Sequence, residues 1–161
     1  MELLTKNKCM KKSILFGITL FLFKSATFSQ VLVSESFEGV FAPSGWTVLN
    51  NGSGNDWVQD PSYASIGSNS MAYYFNISNA ADAWAFTPAI ALNAGDSIVV
   101  TFDEQVRSSN YPEALQVTIG NAQTVPSQTT VLYSDANLTN TTFNQIAVSY
   151  KACLLYTSRC V

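Results

Sequence analysis

Ser97-Ile98-Val99-Val100-Thr101-Phe102-Asp103 puts Ile98, Val100 and Phe102 on one face of an extended chain and Val99, Thr101 and Asp103 on the other. Successive side chains of a strand point to opposite faces, so an apolar face backed by a more polar one marks a half-buried antiparallel strand. Two later stretches repeat the pattern. Leu115, Val117 and Ile119 oppose Ala114, Gln116 and Thr118, and Ile146, Val148 and Tyr150 oppose Gln145, Ala147 and Ser149. Working outward, the β-type runs are 31–37, 46–49, 71–75, 83–86, 97–106, 113–119, 129–133 and 143–150, with no amphipathic helix between them. Turn chemistry separates them at Pro43-Ser44-Gly45, Asn50-Asn51-Gly52-Ser53-Gly54-Asn55, Gly67-Ser68-Asn69 and Asn93-Ala94-Gly95-Asp96. Short strands punctuated in this way predict an all-β, antiparallel two-sheet jelly-roll sandwich.

The two ends of the chain read differently from its middle. Lys6, Lys8, Lys11 and Lys12 precede the apolar run from Ile14 to Phe23 and the small, polar Ser25-Ala26-Thr27-Phe28-Ser29. A basic region, an apolar region and a cleavable stretch in that order predict an export signal over 1–29, with the true start at Met10 and cleavage near Ser29. The apolar run is about half of the roughly 20 residues that a spanning helix requires, so membrane contact is expected only transiently, during export. The last nine residues, 153–161, back-translate into the transposon end of a sequencing adapter followed by its own reverse complement. The expectation is therefore that 30–152 is the biological domain, that the sandwich is incomplete at its C-terminus, and that the natural frame continues beyond Ala152.

Charge and composition exclude several functions. Between Gln30 and Ala152 two basic residues, Arg107 and Lys151, face ten acidic ones, giving a net charge of −8. Such a surface repels phosphate backbones, which excludes nucleic acid as a partner. Histidine is absent, and Cys9, Cys153 and Cys160 all lie outside 30–152. This removes Ser-His-Asp and Cys-His machinery, His-ligated zinc and any disulfide framework from the central domain. A glycosidase-type carboxylate pair is formally open to Asp103, Glu104 and Glu113, but the adjacent Asp103 and Glu104 point to opposite faces of one strand and cannot form the pair themselves.

Several motifs carry a family resemblance. They are Glu35-Ser36-Phe37-Glu38-Gly39, Phe41-Ala42-Pro43-Ser44-Gly45-Trp46, Asp56-Trp57, and Ala81-Asp82-Ala83-Trp84-Ala85-Phe86-Thr87-Pro88-Ala89-Ile90. Together they resemble the cleaved-adhesin or choice-of-anchor J family, MAM-like jelly-roll modules of secreted Bacteroidetes-type proteins. Glu113-Ala114-Leu115-Gln116-Val117 sits where that family begins a strand with glutamate. The likeness runs from residue 33 to about 150. The family's later strand of the form I-Y-I-A-F-R and its closing D-D-I or D-D-V strand are missing, as truncation implies.

The resemblance implies a structural Ca²⁺ near the first strand, with Glu38, Asp82 and Asp56 as ligands, because a hard cation takes about six to eight oxygens. It also implies a C-terminal sorting domain of the type 9 secretion pathway. Among the aromatic residues, Trp46 and Trp84 read as core. Trp57 and Tyr63, in the loop of residues 50–70, read as surface candidates for stacking on a sugar ring. Asp96-Ser97-Ile98 matches a short bacterial O-glycosylation motif, and the Asn-X-Ser/Thr sites at Asn51, Asn76, Asn137 and Asn140 read as incidental. The expected function is a non-catalytic, secreted or cell-surface, adhesin-like module that recognises carbohydrate or an extracellular protein. The alternative is an accessory domain of a secreted peptidase or glycosidase.

Overall fold

The structure, a computed structural model, describes residues 30–153. The leader read over 1–29 and the tail beyond Cys153 lie outside the described residues. The chain divides between Gln30 and Val31, and the architecture below is that of the second unit.

Eight strands form, all antiparallel: β1 (Thr47–Asn50), β2 (Trp57–Asp60), β3 (Ser70–Tyr73), β4 (Ala83–Phe86), β5 (Ser97–Glu104), β6 (Glu113–Gly120), β7 (Gln128–Leu138) and β8 (Asn144–Lys151). A single 3₁₀ turn, Val125–Ser127, precedes β7, and no α-helix occurs among the described residues. The fold class is therefore all-β and antiparallel, as the alternation predicts. Strands pair as four ladders: β1 with β4, β2 with β3, β5 with β8 and β6 with β7. Each half of the chain thus encloses an inner hairpin within an outer pair, an arrangement compatible with a β-sandwich.

Register follows the apolar pattern. Along β5 and β8 the pairs Ile98↔Tyr150, Val100↔Val148 and Phe102↔Ile146 bring the two apolar faces to one side. Shifting either strand by one residue would turn this entire set outward, so the alternation itself fixes the pairing. The ladder is prolonged past its formal end, where Ala152 donates to the Asp96 carbonyl at 2.9 Å and Gly95 donates to the Ala152 carbonyl at 2.8 Å. Phe86, Val106, Ile119, Leu138 and Ala152 are the buried apolar residues. Phe102 packs edge-on against Tyr133 of β7 with ring centroids 5.4 Å apart, joining the two ladders of the second half.

Two sequence expectations are corrected. Residues 31–37 form no strand. The Glu35 carboxylate accepts the Phe37 backbone N–H at 2.6 Å, and Phe37 sits at φ 63°, outside the extended region. The supposed loop of residues 50–70 contains β2, whose register sets Trp57 opposite Tyr73 and Asp60 opposite Ser70. Gly45, Gly67 and Gly95, each in a turn, have positive φ, where a side chain is strained.

Candidate ligand-binding site

The loop that follows β2 meets the end of β5 and the chain leaving it. Asp60, the last residue of β2, is only 4% exposed. Its Oδ1 accepts the Ser62 backbone N–H at 2.7 Å, the local turn that folds the chain back after the strand. Burial by itself pushes the Asp60 carboxyl up. The Ser62 backbone and side chain, the Tyr74 hydroxyl and the Arg107 charge outweigh it, holding Asp60 below the usual carboxylate range. The reciprocal effect raises the Tyr74 phenol, first through its bond to Asp60.

The surface of that loop carries an aromatic ring and a cation. The Arg107 guanidinium carbon lies 5.9 Å from the centroid of the Tyr63 ring, a cation–π arrangement. Tyr63 is 41% exposed, so its ring is open to solvent. Ser65, in the same loop as Tyr63, donates its hydroxyl to Asp103 of β5, fastening the loop beside Arg107.

Tyr63 therefore stands where the sequence placed it, at an accessible surface. Trp57 does not share that surface environment: it is half-buried, donates its indole N–H to the Ala83 carbonyl at 3.0 Å, and packs edge-on against Tyr73 at 6.0 Å. Trp46 and Trp84 are also packed, Trp46 against Phe37 at 5.5 Å and Trp84 stacked on Phe86 at 5.9 Å. Sequence reasoning missed the buried Asp60 and the placement of Arg107 against Tyr63. The available signal was that Arg107 is the sole basic residue between positions 30 and 150.

The carboxylates assigned to calcium by resemblance hold structural bonds instead. Glu38 Oε1 accepts the backbone N–H groups of Ser68 and Asn69, each at 2.8 Å, and its Oε2 accepts the Asn69 side-chain amide at 3.3 Å. These bonds, led by that of the Asn69 backbone, hold the Glu38 carboxyl below its usual range. Both Asp82 oxygens are engaged at 2.7 Å, Oδ1 by the Trp84 indole and Oδ2 by the Asn51 amide. Asp56 is exposed and stands apart from them. Among the described residues no three acidic, histidine or cysteine side chains gather where they would hold a metal ion. A Ca²⁺ ion needs a cage of oxygens, and Glu38 and Asp82 are faced by N–H donors, so this set does not fit the ion as arranged.

The carboxylates considered for glycoside cleavage are likewise dispersed. Asp103 holds Ser65, and Glu113 opens β6 as an exposed residue opposite Leu138. Glu104 is 6% exposed; its Oε1 accepts the Tyr133 hydroxyl at 2.8 Å, and its buried Oε2 has no partner. A shallow, open depression lined by Glu35, Gly39, Val40, Ala42, Pro43 and Ser44 contains none of these groups. No family model matches the chain, and neither a curated protein nor a solved structure matches it.

Proposed function

We propose that this chain is an exported, non-catalytic binding module of jelly-roll sandwich type, attaching to carbohydrate or to an extracellular protein at the bacterial cell surface or in the medium. The observation that supports the reading is the solvent-exposed ring of Tyr63 with the Arg107 guanidinium carbon 5.9 Å from its centroid. Accessible tyrosine rings and an oriented guanidinium supply contact area and directed donors at small entropic cost, the chemistry of a recognition surface. Glu38, Asp82 and Asp103 accept bonds that fasten loops, and Glu104 holds the Tyr133 hydroxyl, roles that are structural. The export signal and the resemblance to cleaved-adhesin modules support the same reading, and the net charge of −8 argues against nucleic-acid partners.

The test is saturable retention of the purified, exported chain on immobilised glycans and matrix proteins, with a hydrolysis assay run in parallel. Saturable binding without bond cleavage supports the proposal. Cleavage of a glycan or peptide by this chain alone would refute it.

A further inference from the structure

Asn51-Gly52 is the only asparagine–glycine pair in the sequence, and it lies in the bend that follows β1, where both residues are exposed. The side-chain amide of an asparagine can be attacked by the backbone nitrogen of the next residue, closing a cyclic imide. A side chain on that next residue crowds the ring, and glycine has none. The Gly52 N–H belongs to no strand ladder; it donates to Oδ1 of Asn50 at 2.9 Å, inside the same bend. The attacking nitrogen is thus held by a local side-chain bond alone. Asn51 is also a fastening point. Its backbone N–H donates to the Asp82 carbonyl at 2.8 Å, and its Nδ2 donates to Asp82 Oδ2 at 2.7 Å. The β1–β4 ladder ends at Asn50↔Ala83, so these two bonds carry it one residue further. Asp82 Oδ1 accepts the Trp84 indole N–H at 2.7 Å, which ties the same carboxylate to β4.

We propose that Asn51-Gly52 is a self-modification site, at which deamidation turns the Asn51 amide into a carboxylate and releases the end of the β1–β4 ladder. The Gly52 nitrogen gives up its proton and bonds to Asn51 Cγ; the Cγ–Nδ2 bond breaks, and the side-chain nitrogen leaves with that proton as ammonia. Water then opens the imide at either carbonyl, giving aspartate or isoaspartate. Solvent water is the sole co-reactant. In the aspartate product an anionic oxygen takes the place of the donor that lies 2.7 Å from Asp82 Oδ2, so an amide–carboxylate bond becomes a contact between two anions. Like charges at that distance repel, and the fastening opens. Isoaspartate adds a methylene to the main chain inside the bend and displaces the same contact. Asn76 and Asn137 are followed by Ile77 and Leu138, whose branched side chains crowd the ring that would have to close.

The full exported chain is incubated at neutral and at mildly alkaline pH, and peptide mapping by mass spectrometry follows the amide-to-acid mass gain at every asparagine. Conversion should be about tenfold faster at Asn51 than at any other asparagine, and faster at the higher pH because the attacking nitrogen must lose its proton. Gly52→Ala restores the crowding and should slow it by about tenfold. A methyl group there meets Asp82 Cβ at 3.3 Å, so Asn51→Gln, which enlarges the ring that must close, supplies a second variant that should stop the conversion. Asn51→Asp reproduces the product and should lower Tm by roughly 3–6 °C. Combining it with Asp82→Asn exchanges amide and carboxylate across the same contact and should recover most of that loss. Conversion at Asn51 no faster than at the other asparagines overturns the site. An Asn51→Asp chain that melts with wild type, or whose loss Asp82→Asn leaves untouched, overturns the release of the ladder.

Discussion

Removing one oxygen atom at Tyr133 provides a strong test of how the second half of the domain is held together. Glu104 lies at the end of β5, on the same face as Ile98, Val100 and Phe102, and is 6% exposed. Its carboxylate receives one hydrogen bond, 2.8 Å from the Tyr133 hydroxyl, while the second oxygen is buried without a partner. Tyr133→Phe retains the edge-on packing against Phe102 and deletes that single donor. A hydrogen bond to a charged group contributes about 1.5–3 kcal/mol, and little is recovered when the acceptor stays buried. Taking about 2 kcal/mol, Tm falls by roughly 6–12 °C for a domain of this size. Urea unfolding followed by tryptophan fluorescence supplies the free energy, with an unchanged slope as the sign that the unfolded state is unaffected. Glu104→Gln removes the charge that needs the donor, so the double variant should lose less than the two single losses added together.

Alkaline titration gives the same interaction an independent readout. Burial, then the bond to Glu104, then the charges of Glu104 and Asp135 push the Tyr133 phenol up to about 12. The folded state keeps this proton after the unfolded state, with an ordinary value near 10, has released it. The stabilisation is complete below about pH 10 and is lost as pH rises through the folded value near 12. Tyr133→Phe abolishes that part of the loss. A variant within about 0.5 kcal/mol of wild type, with an identical alkaline profile, would refute the buried contact.

Asp60→Asn should change the acid side of the stability profile. Because the Asp60 carboxyl is held low, its contribution to stability is present above its unfolded value near 3.8 and is lost as pH falls through its lower folded value; the variant lacks that acid-side loss in a melting series. Gly67→Ala places a methyl group at φ 77° and against the Glu38 carboxylate, so it should destabilise by at least about 1 kcal/mol and expose the 67–69 loop to faster amide exchange. Excess EDTA should leave Tm unchanged, since Glu38 and Asp82 already accept N–H donors; a reproducible fall would place a cation in these loops and overturn that account.

The fold was legible wherever alternation ran long enough to outweigh local chemistry. β5, β6 and β8 each carry an apolar residue at every second position, and their observed limits lie within two residues of those read from sequence. β7 proved longer than the run at 129–133, extending to Leu138 through Ser134, Asp135 and Asn137, residue types that favour turns in isolation. β2 was hidden because it has only four residues and follows an Asn- and Gly-rich turn; its partner β3, not its own propensity, fixes it as a strand. The segment 31–37 misled for the opposite reason, its apolar residues suggesting a strand while Glu35 folds the backbone at Phe37.

The candidate site was legible one residue at a time. An aromatic residue in a Gly-, Ser- and Asn-rich stretch identifies Tyr63, but nothing in Asp60 alone separates an anchoring carboxylate from an ordinary turn residue. Its burial at the end of β2 arises only on folding, as does the approach of Arg107, from beyond β5, to the ring of Tyr63. Trp57 reads like Tyr63 in the sequence. Pairing with β3 turns it onto Tyr73 and the Ala83 carbonyl.

The most direct measurement of the central claim is an amide NMR titration of the chain with a glycan or matrix-protein fragment that it retains saturably. The account predicts saturable shifts concentrated at residues 62–66 and 103–107, with those around Trp57 smaller. Shifts centred on another face, or none at saturating ligand, would contradict the assignment of recognition to the Tyr63 and Arg107 surface.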